Sequence, residues 1–115
     1  MRRLLIVDDD VWFAKALEAN LVDCFETKVV DSVFDIFPSI EEFRPDAILL
    51  DLVLAESNAI TFLNELASYD DLSHIDILLM SSVANDFEEE SFIRLGVKSV
   101  LDKANLTAEM IREAL

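Results

Sequence analysis

Three aspartates end two apolar runs of this chain. Asp8 and Asp9 follow the run LLIV, and Asp51 closes the run DAILL. If these runs are neighbouring parallel strands, the three carboxylates meet at one end of a sheet and repel one another unless a cation lies among them. Oxygen ligands of this kind suit Mg²⁺, which takes one or two carboxylates, keeps waters and often recruits phosphate oxygens. The pattern predicts a Mg²⁺ site beside a carboxylate that can meet a phosphoryl group.

The hydrophobic pattern alternates between strands and helices along the chain. The predicted strands are apolar or β-branched runs: Arg3–Val7, Thr27–Val30, Asp46–Asp51, Ile75–Met80 and Ser99–Asp102. The predicted helices have apolar residues at helical spacing or capping residues at their ends: Val11–Val22, 38–43, Asn58–Ser68, Asp86–Leu95 and Thr107–Leu115. The candidate caps are Asp9 or Asp10, Asn85 and Asp86, Gly96 and Thr107. This alternation predicts an α/β fold, a doubly wound five-stranded parallel sheet flanked by five helices.

Polar side chains follow four of these predicted strands. Asp8 and Asp9 follow the first and Asp51 ends the third, while Ser81 follows the fourth and Lys103 the fifth. Binding sites of doubly wound sheets form at the carboxyl ends of the strands, near the point where strand order reverses. We therefore expect these five side chains to share one site.

Composition limits the classes of function. The 115 residues suffice for one domain, 1–115, with a single substantial core. The net charge of −15 disfavours direct contact with nucleic acid or an anionic membrane. No run approaches the roughly 20 apolar residues of a membrane span. Cys24 is the only cysteine and excludes an internal disulfide, which agrees with a cytoplasmic location. The single histidine, His74, cannot form a metal site alone and is expected on the surface.

The chain resembles the receiver domains of two-component response regulators. The resemblance covers nearly all of the sequence and depends on four segments: LLIVDDD, RPDAILLDLVLAESNAITFL, ILLMSSVAND and GVKSVLDKA. It implies that Asp51 is the phosphoacceptor. It also implies that Asp8, Asp9, Asp51 and the backbone carbonyl of Val53 surround Mg²⁺.

The same resemblance implies how the domain works. Ser81 and Lys103 match the family's positions that contact the phosphoryl group. The phosphoryl group would come from a histidine kinase or a phosphotransfer protein, and the domain would catalyse only its own phosphorylation and dephosphorylation. It would then act on a downstream protein target, or on an output domain outside this chain, and the family pattern allows a homodimer.

Two positions near the end of the predicted fifth strand depart from the family pattern. Ala104 follows Lys103, where the family usually has a proline after a cis peptide bond. A cis bond before alanine costs about 2.5–4 kcal/mol, so we expect a trans bond or a rearranged loop. Val100 replaces the usual aromatic switch residue, so a ring-flip mechanism is absent.

Two other functions fit parts of the pattern. A phosphatase resembling the haloacid-dehalogenase group would use the D-x-D motif at its start, with Asp8 as nucleophile and Asp10 as acid and base. A pseudo-receiver would use the same fold as a binding module without phosphorylation. The retained acids argue against the second reading, while Ala104 and Val100 keep it open.

Overall fold

Five parallel strands form one sheet in the order β2-β1-β3-β4-β5. The computed structural model describes residues 1–52, 58–82 and 89–115. Its strands are β1 (Arg2–Val7), β2 (Phe25–Val30), β3 (Ala47–Asp51), β4 (Asp76–Ser81) and β5 (Val97–Asp102). All four neighbouring pairs run parallel. Strand order reverses between β1 and β3, which is where the carboxyl edge opens a crevice for a site.

Helices cover both faces of this sheet. Within the described ranges they are α1 (Val11–Ala19), α2 (Ile36–Phe43), α3 (Asn58–Ala67), α4 (Glu89–Arg94) and α5 (Ala108–Ala114). Short 3₁₀ turns occupy Val33–Asp35, Asp70–Leu72 and Lys103–Asn105. The doubly wound α/β fold predicted from the sequence is confirmed. None of the helices in the described part of the chain is long and apolar enough to cross a membrane.

Two apolar clusters, one on each face of the sheet, hold the helices in place. Leu5 and Val7 point into the cluster under α2, α3 and α4, whereas Leu4 and Ile6 point into the cluster under α1 and α5. Every residue of β3 is buried, as expected of a central parallel strand. Burial of a Leu, Ile or Val side chain contributes about 1.5–3 kcal/mol, so these two layers fix how the helices sit on the sheet.

Several element boundaries differ from the predicted ones. Helix α1 ends at Ala19 instead of Val22. The side-chain Nδ2 of Asn20 donates to Ala16 O, and the chain then continues in turns that bury Leu21. Strand β2 begins two residues early, at Phe25, where it already pairs with β1. Strand β5 also begins early, and its register shifts beside Ile77 of β4, which the sequence pattern does not indicate.

The predicted helix caps at Asp10 and Thr107 are present. Asp10 accepts a hydrogen bond from Phe13 N at the start of α1, and Thr107 accepts one from Met110 N at the start of α5. Gly96 follows α4 with a φ of 95°, which a glycine adopts without strain. The proposed caps at Asn85 and Asp86 lie outside the described residues.

His74 and Cys24 differ in how deeply they are buried. His74 is exposed, as predicted. The sequence favours a small apolar core residue at Cys24; the side chain is half-buried, packs against the cluster under α1 and α5, and has its Sγ 3.9 Å from Arg112 Nη1. It sits in the turns that follow the early end of α1, which carry it to the rim of the core.

Candidate functional site

Asp8 and Asp51 lie side by side at the carboxyl edge of the sheet. Val7 of β1 pairs with Leu50 of β3, so the next residue of each strand is one of the two aspartates. Asp8 N donates to Val30 O over 3.0 Å and so extends the pairing with β2. Asp8 is completely buried and Asp51 is 3% exposed. The strand pairing itself therefore brings two buried carboxylates together.

Asp9 completes an acidic group at this edge. Asp9 is exposed, and one carboxylate oxygen from each of Asp8, Asp9 and Asp51 lies within 4.8 Å of the other two. One exposed acid beside two buried ones leaves the group open to solvent on one side. An ion can therefore reach it from solvent.

Lys103 places a positive charge between the two buried acids. Its Nζ lies 2.8 Å from Asp8 Oδ2 and donates a hydrogen bond of 3.1 Å to Asp51 Oδ2. The side chain is 15% exposed. Asp8 Oδ1 accepts a hydrogen bond of 2.9 Å from Asp10 N. The lysine joins the ends of β1, β3 and β5 in one ionic network.

Burial and charge shift the pKa values of this network. Burial raises the pKa of Asp8, and the charge of Asp51 adds to that effect, while Lys103 and the Asp10 N–H oppose it without cancelling it. Burial alone would lower the pKa of Lys103, but its contacts with Asp8 and Asp51 outweigh burial and the pKa is raised. Lys103 is therefore a stable cation in contact with two of the three acids, Asp8 and Asp51.

The donor set fits a hard divalent cation. Among the buried side-chain nitrogens and oxygens of the described ranges, Asp8 Oδ2 is the one that makes no hydrogen bond, since its contact with Lys103 is an ion pair without hydrogen-bond geometry. A buried oxygen with spare acceptor capacity beside two further carboxylates is the kind of ligand that Mg²⁺ takes. Val53, whose carbonyl the family resemblance adds to this set, lies outside the described residues.

The turn that carries Lys103 is built without a proline. Asp102 Oδ1 accepts from Ala104 N over 3.0 Å and caps the 3₁₀ turn. No peptide bond in the described segments is cis, which confirms the expectation of a trans bond between Lys103 and Ala104. The side chain of Asp102 thus orders the loop that presents the lysine.

Ser81 and Val100 lie on the last two strands of the sheet. Ser81 is fully buried at the end of β4, one residue beyond the pair formed by Met80 and Asp51, and it pairs with Asp102 of β5. It therefore lies at the same edge as the acids. Val100 is half-buried and packs against the cluster under α2, α3 and α4.

Sequence reasoning missed Phe13. In the sequence Phe13 is one of the apolar residues at helical spacing in the predicted helix Val11–Val22, yet its ring centroid lies 4.7 Å from Lys103 Nζ. The sequence feature that could have indicated this contact is the position of Phe13 in the first turn of α1, next to the carboxyl end of β1.

The carboxylate of Asp10 has a structural role as the cap of α1. Its Oδ1 accepts from Phe13 N over 3.1 Å and caps α1. A phosphatase of the haloacid-dehalogenase type would need this carboxylate as its acid and base beside Asp8. The geometry therefore weighs against the phosphatase alternative.

Comparison with known proteins establishes the family. Residues 4–115 match the family model of the response regulator receiver domain, so the chain belongs to that family. Its members are typically regulatory rather than catalytic.

A relative in sequence is much longer than this chain. An uncharacterized 76.5 kDa protein in the phbC 3′ region of Thiocystis violacea is 28% identical over 102 residues. The match takes in 88% of this chain and 15% of that protein. The chain therefore spans a small part of that relative.

Solved structures share the fold. The signal receiver domain of a response regulator from Bermanella marisrubri superposes with a TM-score of 0.82 at 22% identity, covering 96% of this chain and 92% of its own. A sensor protein from Polaromonas sp. JS666 gives a TM-score of 0.86 at 22% identity, with coverages of 98% and 91%. The receiver domain of a DNA-binding response regulator from Colwellia psychrerythraea 34H gives 0.85 at 22%, with coverages of 98% and 94%.

Proposed function

We propose that this receiver domain accepts a phosphoryl group on Asp51 in a Mg²⁺-dependent reaction and then changes the surface it offers to a protein target. The observation that carries the proposal is the convergence of three carboxylates within 4.8 Å, with the Lys103 ammonium 3.1 Å from Asp51. Membership of the family supports a histidine kinase or a phosphotransfer protein as the donor.

The chemistry follows from the charges at the site. A carboxylate oxygen of Asp51 attacks the phosphorus, the bond from phosphorus to the donor's imidazole nitrogen breaks, and the imidazole keeps the bonding electrons and takes up a proton. Asp8, Asp9, Asp51 and the carbonyl of Val53 would hold the ion. When bound, Mg²⁺ supplies positive charge that offsets the phosphoryl oxygens. The protein's own contribution is to position Asp51 and keep Lys103 charged beside it.

Phosphorylation would rearrange the network around Lys103. The new group brings about −1.5 to −2 charges and three acceptor oxygens. Lys103 can then pair with a phosphoryl oxygen, and the Ser81 hydroxyl can donate to another. Ser81 ends β4, which precedes α4 in the chain, and Lys103 directly follows β5. A shift at this edge of the sheet would therefore reach the surface formed by Glu89–Arg94 and Val97–Asp102. A strongly acidic domain suits a protein partner better than nucleic acid.

Phosphorylation by a small donor tests the proposal directly. The chain is incubated with acetyl phosphate and Mg²⁺, and intact mass spectrometry with peptide mapping locates the added phosphoryl group. We expect one group on Asp51, none in Asp51→Asn and none when EDTA removes the metal. Asp71→Asn is the matched control, because Asp71 is an exposed acid that precedes β4 at the other edge of the sheet.

Two outcomes would redirect the assignment. A label on Asp8 that persists in Asp51→Asn would favour the phosphatase alternative. Absence of any label, together with no binding of beryllofluoride in the presence of Mg²⁺, would favour the pseudo-receiver alternative.

A further inference from the structure

Four residues that lie after β1, at the start of α1 and after β5 form a closed ring of contacts: Asp8, Asp10, Phe13 and Lys103. Asp8 Oδ1 accepts from Asp10 N at 2.9 Å, and Asp10 Oδ1 accepts from Phe13 N at 3.1 Å. The Phe13 ring centroid lies 4.7 Å from Lys103 Nζ, and that nitrogen returns to Asp8 Oδ2 at 2.8 Å. Each of the four residues therefore constrains the position of the next, although Asp8 and Lys103 lie 95 residues apart in the sequence.

We infer that Phe13 is a positioning residue for Lys103, holding the ammonium against Asp8 and Asp51 so that it is in place when Asp51 is phosphorylated. The inference concerns the site of the proposed function, and its kinetic part depends on that function. Phe13 does not touch the reacting atoms and acts through the lysine.

The contact has the chemistry needed for this role. A lysine side chain is long and flexible, and its ammonium is a strongly hydrated point charge. Carboxylates attract Lys103 from one side, and the negative face of the Phe13 ring attracts it from another while excluding water. Because Phe13 N is tied to the Asp10 cap, the backbone that carries the ring is fixed relative to Asp8.

Packing alone would not require this geometry. Phe13 is only half-buried and lies against the cluster under α1 and α5, where a leucine would also fill space. A leucine has no π face, so it would retain most of the packing and lose the attraction for the ammonium. The two roles can therefore be separated by substitution.

The first measurement is independent of phosphorylation. In nuclear magnetic resonance spectra, methylene protons next to the Lys103 ammonium should show the upfield shift that an aromatic face produces. We expect that shift to persist in Phe13→Tyr and to disappear in Phe13→Leu. Unchanged Lys103 signals in Phe13→Leu would overturn the inference even if Asp51 proves to accept phosphoryl groups normally. A lost shift would support the contact even if no phosphorylation occurs.

The second measurement is the rate of Asp51 phosphorylation by acetyl phosphate. We expect Phe13→Leu to lower that rate about 3- to 10-fold, with Phe13→Tyr retaining most of it. The matched control is Phe43→Leu, which removes a contact of the same type between Phe43 and Arg3, 5.7 Å apart, away from the acids. Phe43→Leu should leave the rate within about twofold.

A double-mutant cycle shows whether Phe13 acts through the lysine. In a Lys103→Met background, which removes the charge and keeps most of the volume, Phe13→Leu should lower the rate no further. An equal loss in both backgrounds would mean that Phe13 acts through the fold alone and would overturn the inference. Thermal unfolding of each variant ensures that all rates compare folded proteins.

Discussion

Asp102 and Asn105 are joined across the turn that presents the site lysine. Asn105 Nδ2 donates to Asp102 Oδ2 over 2.7 Å, while the other carboxylate oxygen of Asp102 caps the turn at Ala104 N. One side chain thus holds two of the three residues of the turn, Ala104 and Asn105. This arrangement stands where the family usually has a proline.

Asp102→Ala should disturb the site as well as the fold. Loss of a capping side chain typically costs about 1 kcal/mol, and here the freed turn also carries Lys103. We expect a lower melting temperature and slower phosphorylation of Asp51. Thr107→Ala is the matched control, since it removes a similar cap from α5 without touching the lysine turn. Equal phosphorylation rates in the two variants would contradict this role for Asp102.

Ala104→Pro, which restores the usual family residue, should be harmful in this chain. Proline removes the N–H that donates to Asp102, and it disfavours the helical backbone that Lys103 has in the 3₁₀ turn. We expect a loss of about 1–3 kcal/mol in the free energy of unfolding, measured by urea denaturation. A more stable Ala104→Pro protein would show that the turn tolerates the proline geometry after all.

Mg²⁺ should stabilise the folded protein through the acidic site. At a Mg²⁺ concentration about 100 times its Kd, binding to the folded state alone adds about 2.7 kcal/mol. We expect calorimetry to show a higher melting temperature with Mg²⁺, and Asp8→Asn and Asp51→Asn each to lose most of that increase. Asp71→Asn, an exposed acid elsewhere, should keep it. An undiminished Mg²⁺ effect in Asp8→Asn would place the ion at another site.

Asp8 should make stability depend on pH when EDTA keeps the site free of metal. Burial raises the pKa of Asp8 above its ordinary 3.8, so the folded state favours the protonated acid. This stabilising contribution is complete below pH 3.8 and is lost as the pH rises through the raised value. Asp8→Asn cannot ionise at this position. The free energy of unfolding of Asp8→Asn, minus that of the unmodified protein, should therefore increase as the pH is raised from about 3 to 7. Thermal melts at a series of pH values measure this difference. A constant or shrinking difference over that range would contradict the sign.

The amino-acid sequence by itself determined the fold class and the edge of the sheet where the acids lie. Strand and helix periods are local, and so are the caps at Asp10 and Thr107, because each involves residues within one turn of each other. Adjacency of Asp8 and Asp51 then followed from one general rule about the carboxyl ends of parallel strands.

Tertiary packing decided the contacts around Lys103. Whether a side chain of α1 faces a lysine 90 residues later depends on how the helix is rotated and shifted on the sheet, which the two apolar layers set. The early start of β5 and its register shift beside Ile77 likewise arise from pairing with β4. From the sequence, Phe13 is therefore indistinguishable from an ordinary core residue, because no local pattern encodes how one element is oriented on another.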